Sequence, residues 1–149
     1  MGRQGARLAS ASGDGGGTIC VPVGDKERAS IAEEAVRHTS ASELTVTDGK
    51  VAGSKAKVVD WFLADNDWPD AGVRNRDLPD PAEARLSNTV GAHEIALVAY
   101  TVEAKNLEAP WQTRVWGRYT SPQGRRRLRL TFRVRFMPLG QACDMSSDE

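Results

Sequence analysis

An α+β fold, with a curved antiparallel sheet wrapped around two or three helices, is the class this sequence predicts. Three observations lead there. Residues 25–38 carry a thin apolar stripe, Ala29, Ala32, Ala35 and Val36, at helical spacing, and residues 55–64 are apolar on most sides. From Glu83 onward the period becomes two. Between these regimes lies turn chemistry: Asp65-Asn66-Asp67, Trp68-Pro69-Asp70 and Leu78-Pro79-Asp80-Pro81.

The chain has 149 residues, enough for one domain with a sizeable core. Residues 1–24 hold seven of the fourteen glycines and read as a flexible tail; Gly15-Gly16-Gly17-Thr18 lacks the lysine of a phosphate-binding loop. Asp25 caps the first predicted helix. Leu44-Thr45-Val46-Thr47 is β-rich, and Asp48-Gly49 reads as a hairpin turn before Lys50-Val51-Ala52. Ser54 caps the second helix, whose Val58, Val59, Trp61, Phe62 and Leu63 pack deeply. Four strands follow, at residues 83–90, 94–104, 112–120 and 126–136. The chain then turns polar and acidic over 140–149, leaving 25–139 as the single domain.

The last two strands fix a register. Leu128, Leu130, Phe132, Val134 and Phe136 share one face, and Arg127, Arg129, Thr131, Arg133 and Arg135 the other. A turn at Ser121-Pro122-Gln123-Gly124 pairs Thr120 with Arg125. It sets Val115 against Leu130, Thr113 against Phe132 and Trp111 against Val134. On the opposite face Trp116 meets Arg129 and Arg118 meets Arg127. Six arginines (Arg114, Arg118, Arg127, Arg129, Arg133, Arg135) thus surround Trp116. Two readings stay open, beside that of an anionic or nucleic-acid partner for arginine next to a stacking aromatic. One is a solvated face neutralised by Glu103, Glu108 or the acidic tail. The other is a docking surface, since arginine and tryptophan are favoured at interfaces.

Charge and motifs exclude several classes. Twenty Lys plus Arg balance twenty Asp plus Glu, which argues against a nucleic-acid partner. No apolar run is long enough to cross a membrane as a helix. Cys20 and Cys143 stand alone near opposite ends, without zinc spacing and unlike a disulfide-rich scaffold, so the expectation is a cytoplasmic, reducing setting. The aspartates of 65–80 lack the pattern of a calcium loop. No serine-hydrolase elbow or zinc-protease motif occurs. Neither cofactor nor metal is expected.

In its order of elements the chain resembles the nuclear-transport-factor-2-like superfamily, within it the ketosteroid-isomerase-like and polyketide-cyclase-like small proteins. Four stretches carry the resemblance: Thr47-Asp48-Gly49-Lys50-Val51-Ala52-Gly53-Ser54, Lys57-Val58-Val59-Asp60-Trp61-Phe62, Ala96-Leu97-Val98-Ala99-Tyr100-Thr101-Val102-Glu103-Ala104, and Phe136-Met137-Pro138-Leu139. It covers residues 26–139 and departs from the family in lacking a long first helix. The resemblance implies a cone-shaped sheet with an apolar ligand pocket, lined by Trp61, Phe62, Val98, Tyr100, Thr113, Val115, Tyr119, Leu130 and Phe132. It also implies acid–base isomerase, cyclase or dehydratase chemistry on an apolar small molecule. Asp60 is then the candidate base, and Tyr100 or Tyr119 the candidate donor. The alternative is a non-catalytic homodimeric module that associates through Arg114, Trp116, Arg118, Arg127, Arg129 and Arg133. His38 at a helix end and His93 after a turn need no function.

Overall fold

The computed structural model describes residues 8–10, 17–24, 26–38, 44–65, 68, 72–74, 89–90, 95–121 and 124–143. Ten strands run through them: β1 (Leu8–Ser10), β2 (Thr18–Pro22), β3 (Arg28–His38), β4 (Leu44–Val51), β5 (Lys57–Asp65), β6 (Gly72–Arg74), β7 (Thr89–Val90), β8 (Ile95–Glu103), β9 (Trp111–Ser121) and β10 (Gly124–Met137). There is no helix among the described residues. The protein is all-β, and the expected α+β cone is replaced by two five-stranded sheets. One sheet runs β1-β3-β8-β5 with β6 beside β3, and the other runs β2-β10-β9-β4-β7.

β1 and β2 belong to different sheets, with β2 parallel to β10 and every other described pairing antiparallel. The order β1-β3-β8-β5 facing β2-β10-β9-β4 is that of an immunoglobulin-like sandwich. Its core lies between the sheets, where Ile31, Val98, Val115, Leu128, Val134 and Phe136 are almost wholly buried. Trp61 of β5 crosses this core and lays its six-membered ring over Gly49 of β4 and Gly117 of β9. Those two glycines are register partners, and any Cβ at either would overlap the indole. Gly49 is therefore not the turn glycine its Asp-Gly sequence suggests; it is the floor of a tryptophan site within a strand.

Both predicted helices are strands, and bulges explain why. In β3 the register passes from Ile31↔Tyr100 to Glu34↔Val98, so one extra residue is accommodated at Ala32 and Glu33. The inward positions become 29, 31, 34 and 36, so the predicted stripe joins two faces: Ala29 and Val36 belong to the core between the sheets, and Ala32 and Ala35 to a second apolar cluster with Leu97 and Ala99. β5 repeats the device at Val59, between Val58↔Val102 and Asp60↔Thr101. Its second face is not solvent either. Ala64 packs there with Ala32, Leu97, Ala99 and Trp68, which is why the segment reads as apolar all round. β4 carries a third bulge at Thr47, which lets Gly49 rather than Asp48 face the core.

The predicted strands are better placed. Residues 95–103, 111–121 and 124–137 are strands, and Thr120↔Arg125, Arg118↔Arg127 and Trp116↔Arg129 pair as expected. Beyond Arg129 the register shifts by two, so Thr113 faces Val134 and Trp111 faces Phe136 instead of Phe132 and Val134. Of the strand expected at 83–90, only Thr89–Val90 lies within the described residues.

β1 and β2 fall in the expected N-terminal tail, and β2 pairs residue for residue with the end of β10, from Thr18↔Arg133 to Pro22↔Met137. Cys20 is bonded to Cys143, with Cα atoms 6.1 Å apart across a sequence separation of 123. The two cysteines that looked isolated in sequence meet because β10 carries the C-terminal chain to the sheet edge where β2 lies. Residues 144–149 of the expected acidic tail lie outside the described residues.

Candidate functional site

The outer face of the second sheet is built from the register. On β9, Thr113, Val115, Gly117 and Tyr119 are buried, so Arg114, Trp116 and Arg118 project outward. On β10, Leu128, Leu130, Val134 and Phe136 are buried, so Arg125, Arg127, Arg129, Arg133 and Arg135 project outward. Asp48 and Lys50 join from β4, opposite Arg118 and Trp116. All six predicted interface residues therefore share one face. Its four strands carry seven arginines and Lys50 against one described carboxylate, Asp48. Since the chain as a whole is neutral, this concentration of charge leaves the rest correspondingly negative.

The continuity of the arginine row depends on the β10 bulge. Between Arg129 and Arg133 the strand takes up two extra residues. Two preserve the alternation; one would have turned Arg133 and Arg135 into the core. The bulge leaves the amides of Thr131 and Phe132 without ladder partners, and Glu34 of the facing sheet receives them. The Thr131 N–H donates to Glu34 Oε1 and Oε2 at 2.9 and 2.8 Å, the Thr131 hydroxyl to Oε2 at 3.1 Å, and the Phe132 N–H to Oε1 at 3.3 Å. Glu34 is only 3% exposed and faces inward because of the β3 bulge. It is thus a positioning residue for the arginine row, although the sequence shows it only as one half of a Glu-Glu pair.

Trp116 gives this face its order. The Arg127 guanidinium lies 4.1 Å from the ring centroid and that of Arg118 5.5 Å, so the tryptophan holds two cations that stand opposite each other in register. Such contacts contribute about 0.5–1 kcal/mol each at exposed sites, which offsets the few tenths lost to like-charge pairing. Asp48 reaches Lys50 Nζ at 3.6 Å and Arg118 at 3.9 Å. These exposed pairs contribute at most about 1 kcal/mol.

The predicted acid–base pair is not brought together. Asp60 sits opposite Thr101 and Trp61 opposite Tyr100, so Asp60 and Tyr100 lie on opposite faces of their sheet. Asp60 lines a cleft of about 240 Å³ between β4 and β5, with Thr47, Asp48 and Phe62. Tyr100 is buried in the core, its ring 5.4 Å from that of Trp61. Burial, and then the charges of Glu34 and Glu33, push its hydroxyl well above the ordinary tyrosine range, so it remains protonated. Of the expected pocket lining, Trp61, Val98, Tyr100, Val115, Tyr119 and Leu130 belong to the packed cluster between the sheets. Thr113 donates to the Ala52 carbonyl at 2.6 Å, Phe62 is half-buried at the cleft, and the Phe132 ring lies by Gly17. Among the described residues no three His, Cys, Asp or Glu side chains are grouped to hold a metal.

A second charge cluster serves the fold. Glu103 lies in register between Arg28 and Lys57 and bonds Arg28 Nε at 3.1 Å, with Lys57 and Lys105 at 3.7 and 3.8 Å. The Arg28 hydrogen bond, then the nearby lysines, hold its carboxyl below the ordinary range.

No protein-family model matches this chain, and no curated protein shows significant similarity to it. Several solved structures are similar in fold at low levels. The VesB protease of Vibrio cholerae is 13% identical with a TM-score of 0.38, covering 90% of this chain and 32% of that one. The PapD-like domain 7 of human CEP192 is 10% identical with a TM-score of 0.41, covering 95% and 92%. A family 123 glycoside hydrolase from Clostridium perfringens is 14% identical with a TM-score of 0.37, covering 88% and 24%. The chain spans about a third of the protease and a quarter of the hydrolase. The functional reading therefore rests on the chemistry of the site.

Proposed function

We propose that this protein is a non-catalytic association module that docks an anionic partner on the arginine–tryptophan face. The observation that carries the reading is the charge of that face: eight cations against one described carboxylate, on a sheet whose bulge keeps the arginine row in step. Acid–base catalysis on an apolar ligand has lost the cone it required, and its two candidate groups face opposite ways. A homodimer through this face would bring two strongly cationic surfaces together, because a two-fold interface presents the same patch twice. An anionic partner removes that repulsion.

The Cys20–Cys143 bond supports an oxidising compartment in place of the cytoplasmic one expected from the cysteine count. No helix of the described residues is long and apolar enough to cross a membrane. The test is binding of a sulfated polysaccharide as polyanion probe over a range of salt. Wild type should bind with steep salt dependence, and Arg127→Glu/Arg129→Glu should lose at least about tenfold in affinity while retaining the β-sheet circular-dichroism spectrum. Salt-independent binding, or full affinity in the double variant, would refute the reading. Light scattering at low salt should give a monomer; a dimer dissolved by Arg129→Glu would restore the homodimeric alternative.

A further inference from the structure

We infer that the arginine face is a linear track, and that its occupant is an extended acidic polysaccharide lying along β10. This rests on the reading of that face as an anion-docking site and names the class of anion.

The register supplies the geometry. In sequence the row Arg125, Arg127, Arg129, Arg133, Arg135 is broken at Thr131. In a regular strand the break would leave Arg129 and Arg133 about 13 Å apart, twice the spacing of about 6.7 Å between alternate residues. The bulge removes the break. The five arginines pair in turn with Thr120, Arg118, Trp116, Arg114 and Gln112 of β9, every second residue of that strand without a gap. They therefore follow one another at a single step of about 6.7 Å, along a track of about 27 Å. Glu34 draws Thr131 out of the row by accepting from its amide and its hydroxyl.

Electrostatics within the chain would favour keeping the break. The screening length is about 8 Å at physiological ionic strength. Arginines separated by about 13 Å are screened from each other, and those one step of about 6.7 Å apart are not. On β9, Arg118 and Arg114 double the charge at the second and fourth positions of the track. A row this even and this crowded complements a ligand whose anions recur at regular intervals along a line.

Other features select the polymer. β9 and β10 lie inside the sheet order β2-β10-β9-β4, so the face presents side chains rather than a strand edge to which a peptide adds. Trp116, the aromatic that a base would stack on, is half-buried and carries the Arg127 and Arg118 guanidiniums at 4.1 and 5.5 Å. A saccharide chain needs neither strand addition nor stacking. Its repeats bring their own anions, which arginine grips through paired N–H groups. The Cys20–Cys143 bond fits the cell surface and extracellular space, where such polymers occur.

The experiment measures the affinity of wild type at low salt for heparin-derived oligosaccharides of graded length, beside a sulfated cyclodextrin, polyglutamate and single-stranded DNA of matched charge. Affinity should rise with length until the oligosaccharide spans about 27 Å and then level off. The cyclodextrin, a closed ring, should bind at least about tenfold more weakly than the spanning chain. Arg125→Glu and Arg135→Glu, at the two ends of the track, should each weaken the spanning chain about tenfold. Each should weaken an oligosaccharide that covers two steps by less than about twofold, because the short ligand moves to the intact end. Equal binding of ring and chain, or affinity that levels off at two steps, overturns the track and leaves the face an anion-docking site. Tighter binding of polyglutamate or DNA overturns the polysaccharide as occupant. Binding of none of the four polyanions removes the anionic partner of the proposed function, and the track with it.

Discussion

Gly117→Ala should be among the most damaging single-carbon changes in this protein. The added Cβ would overlap the six-membered ring of Trp61, with Cε2 and Cη2 both at 2.8 Å, inside any tolerable contact. The indole cannot retreat. Its other ring atoms lie against Gly49, Tyr100 packs beside it, and the residue is only 5% exposed. The strands β4 and β9 must therefore part from β5. Overpacking of a rigid core costs about 1–3 kcal/mol. A rigid aromatic ring touching glycine on two strands places this site at the upper end, about 3 kcal/mol. In a domain of this length that lowers Tm by roughly 10 °C. Urea denaturation followed by far-UV circular dichroism measures it. The cause is isolated by repeating the substitution in Trp61→Leu, where the cost should fall below about 0.5 kcal/mol, giving a coupling energy above about 2 kcal/mol. A wild-type cost below about 0.5 kcal/mol, or the same cost in both backgrounds, would refute the packing argument.

Other perturbations test the rest of the frame. Glu34→Ala strands the Thr131 and Phe132 amides at the bulge and should cost about 3 kcal/mol, with amide exchange rising first around residues 130–133; slow exchange there would show that Glu34 does not hold the bulge. Cys20→Ser/Cys143→Ser releases a cross-link spanning 123 positions and should lower the free energy of unfolding by about 2–4 kcal/mol; equal denaturation midpoints would contradict this. Glu103 has its carboxyl held below the ordinary value of 4.5, so its contribution is complete above that pH and is lost as pH falls through the lower folded value. The Tm gap between wild type and Glu103→Gln should therefore be constant near neutrality and close in acid; a gap that persists into strong acid would mean that the ion cluster is not its source.

The strands that sequence reveals are those whose alternation runs unbroken. Residues 127–136 alternate cleanly, and the arginine face follows from that pattern together with a turn that fixes the first pairs. All six predicted interface residues share one surface for this reason. Asp60 and Tyr100 also belong to β-rich surroundings, but their opposition across the sheet depends on Val59 being an extra residue, which only the pairing with β8 reveals.

By itself the sequence determined a two-residue period through β8, β9 and β10 and a basic face around Trp116. The tertiary structure alone decided that residues 28–38 and 57–65 are strands, that Glu34 crosses the core to a bulge, and that Cys20 meets Cys143. The physical reason is the bulge. One extra residue switches the face on which apolar positions fall, and both faces of β3 are packed, so Ala29 and Val36 of one cluster and Ala32 and Ala35 of the other read together as a single helical stripe. The strand opposite decides which it is, and at the β3 bulge its residues lie more than sixty positions away along the chain.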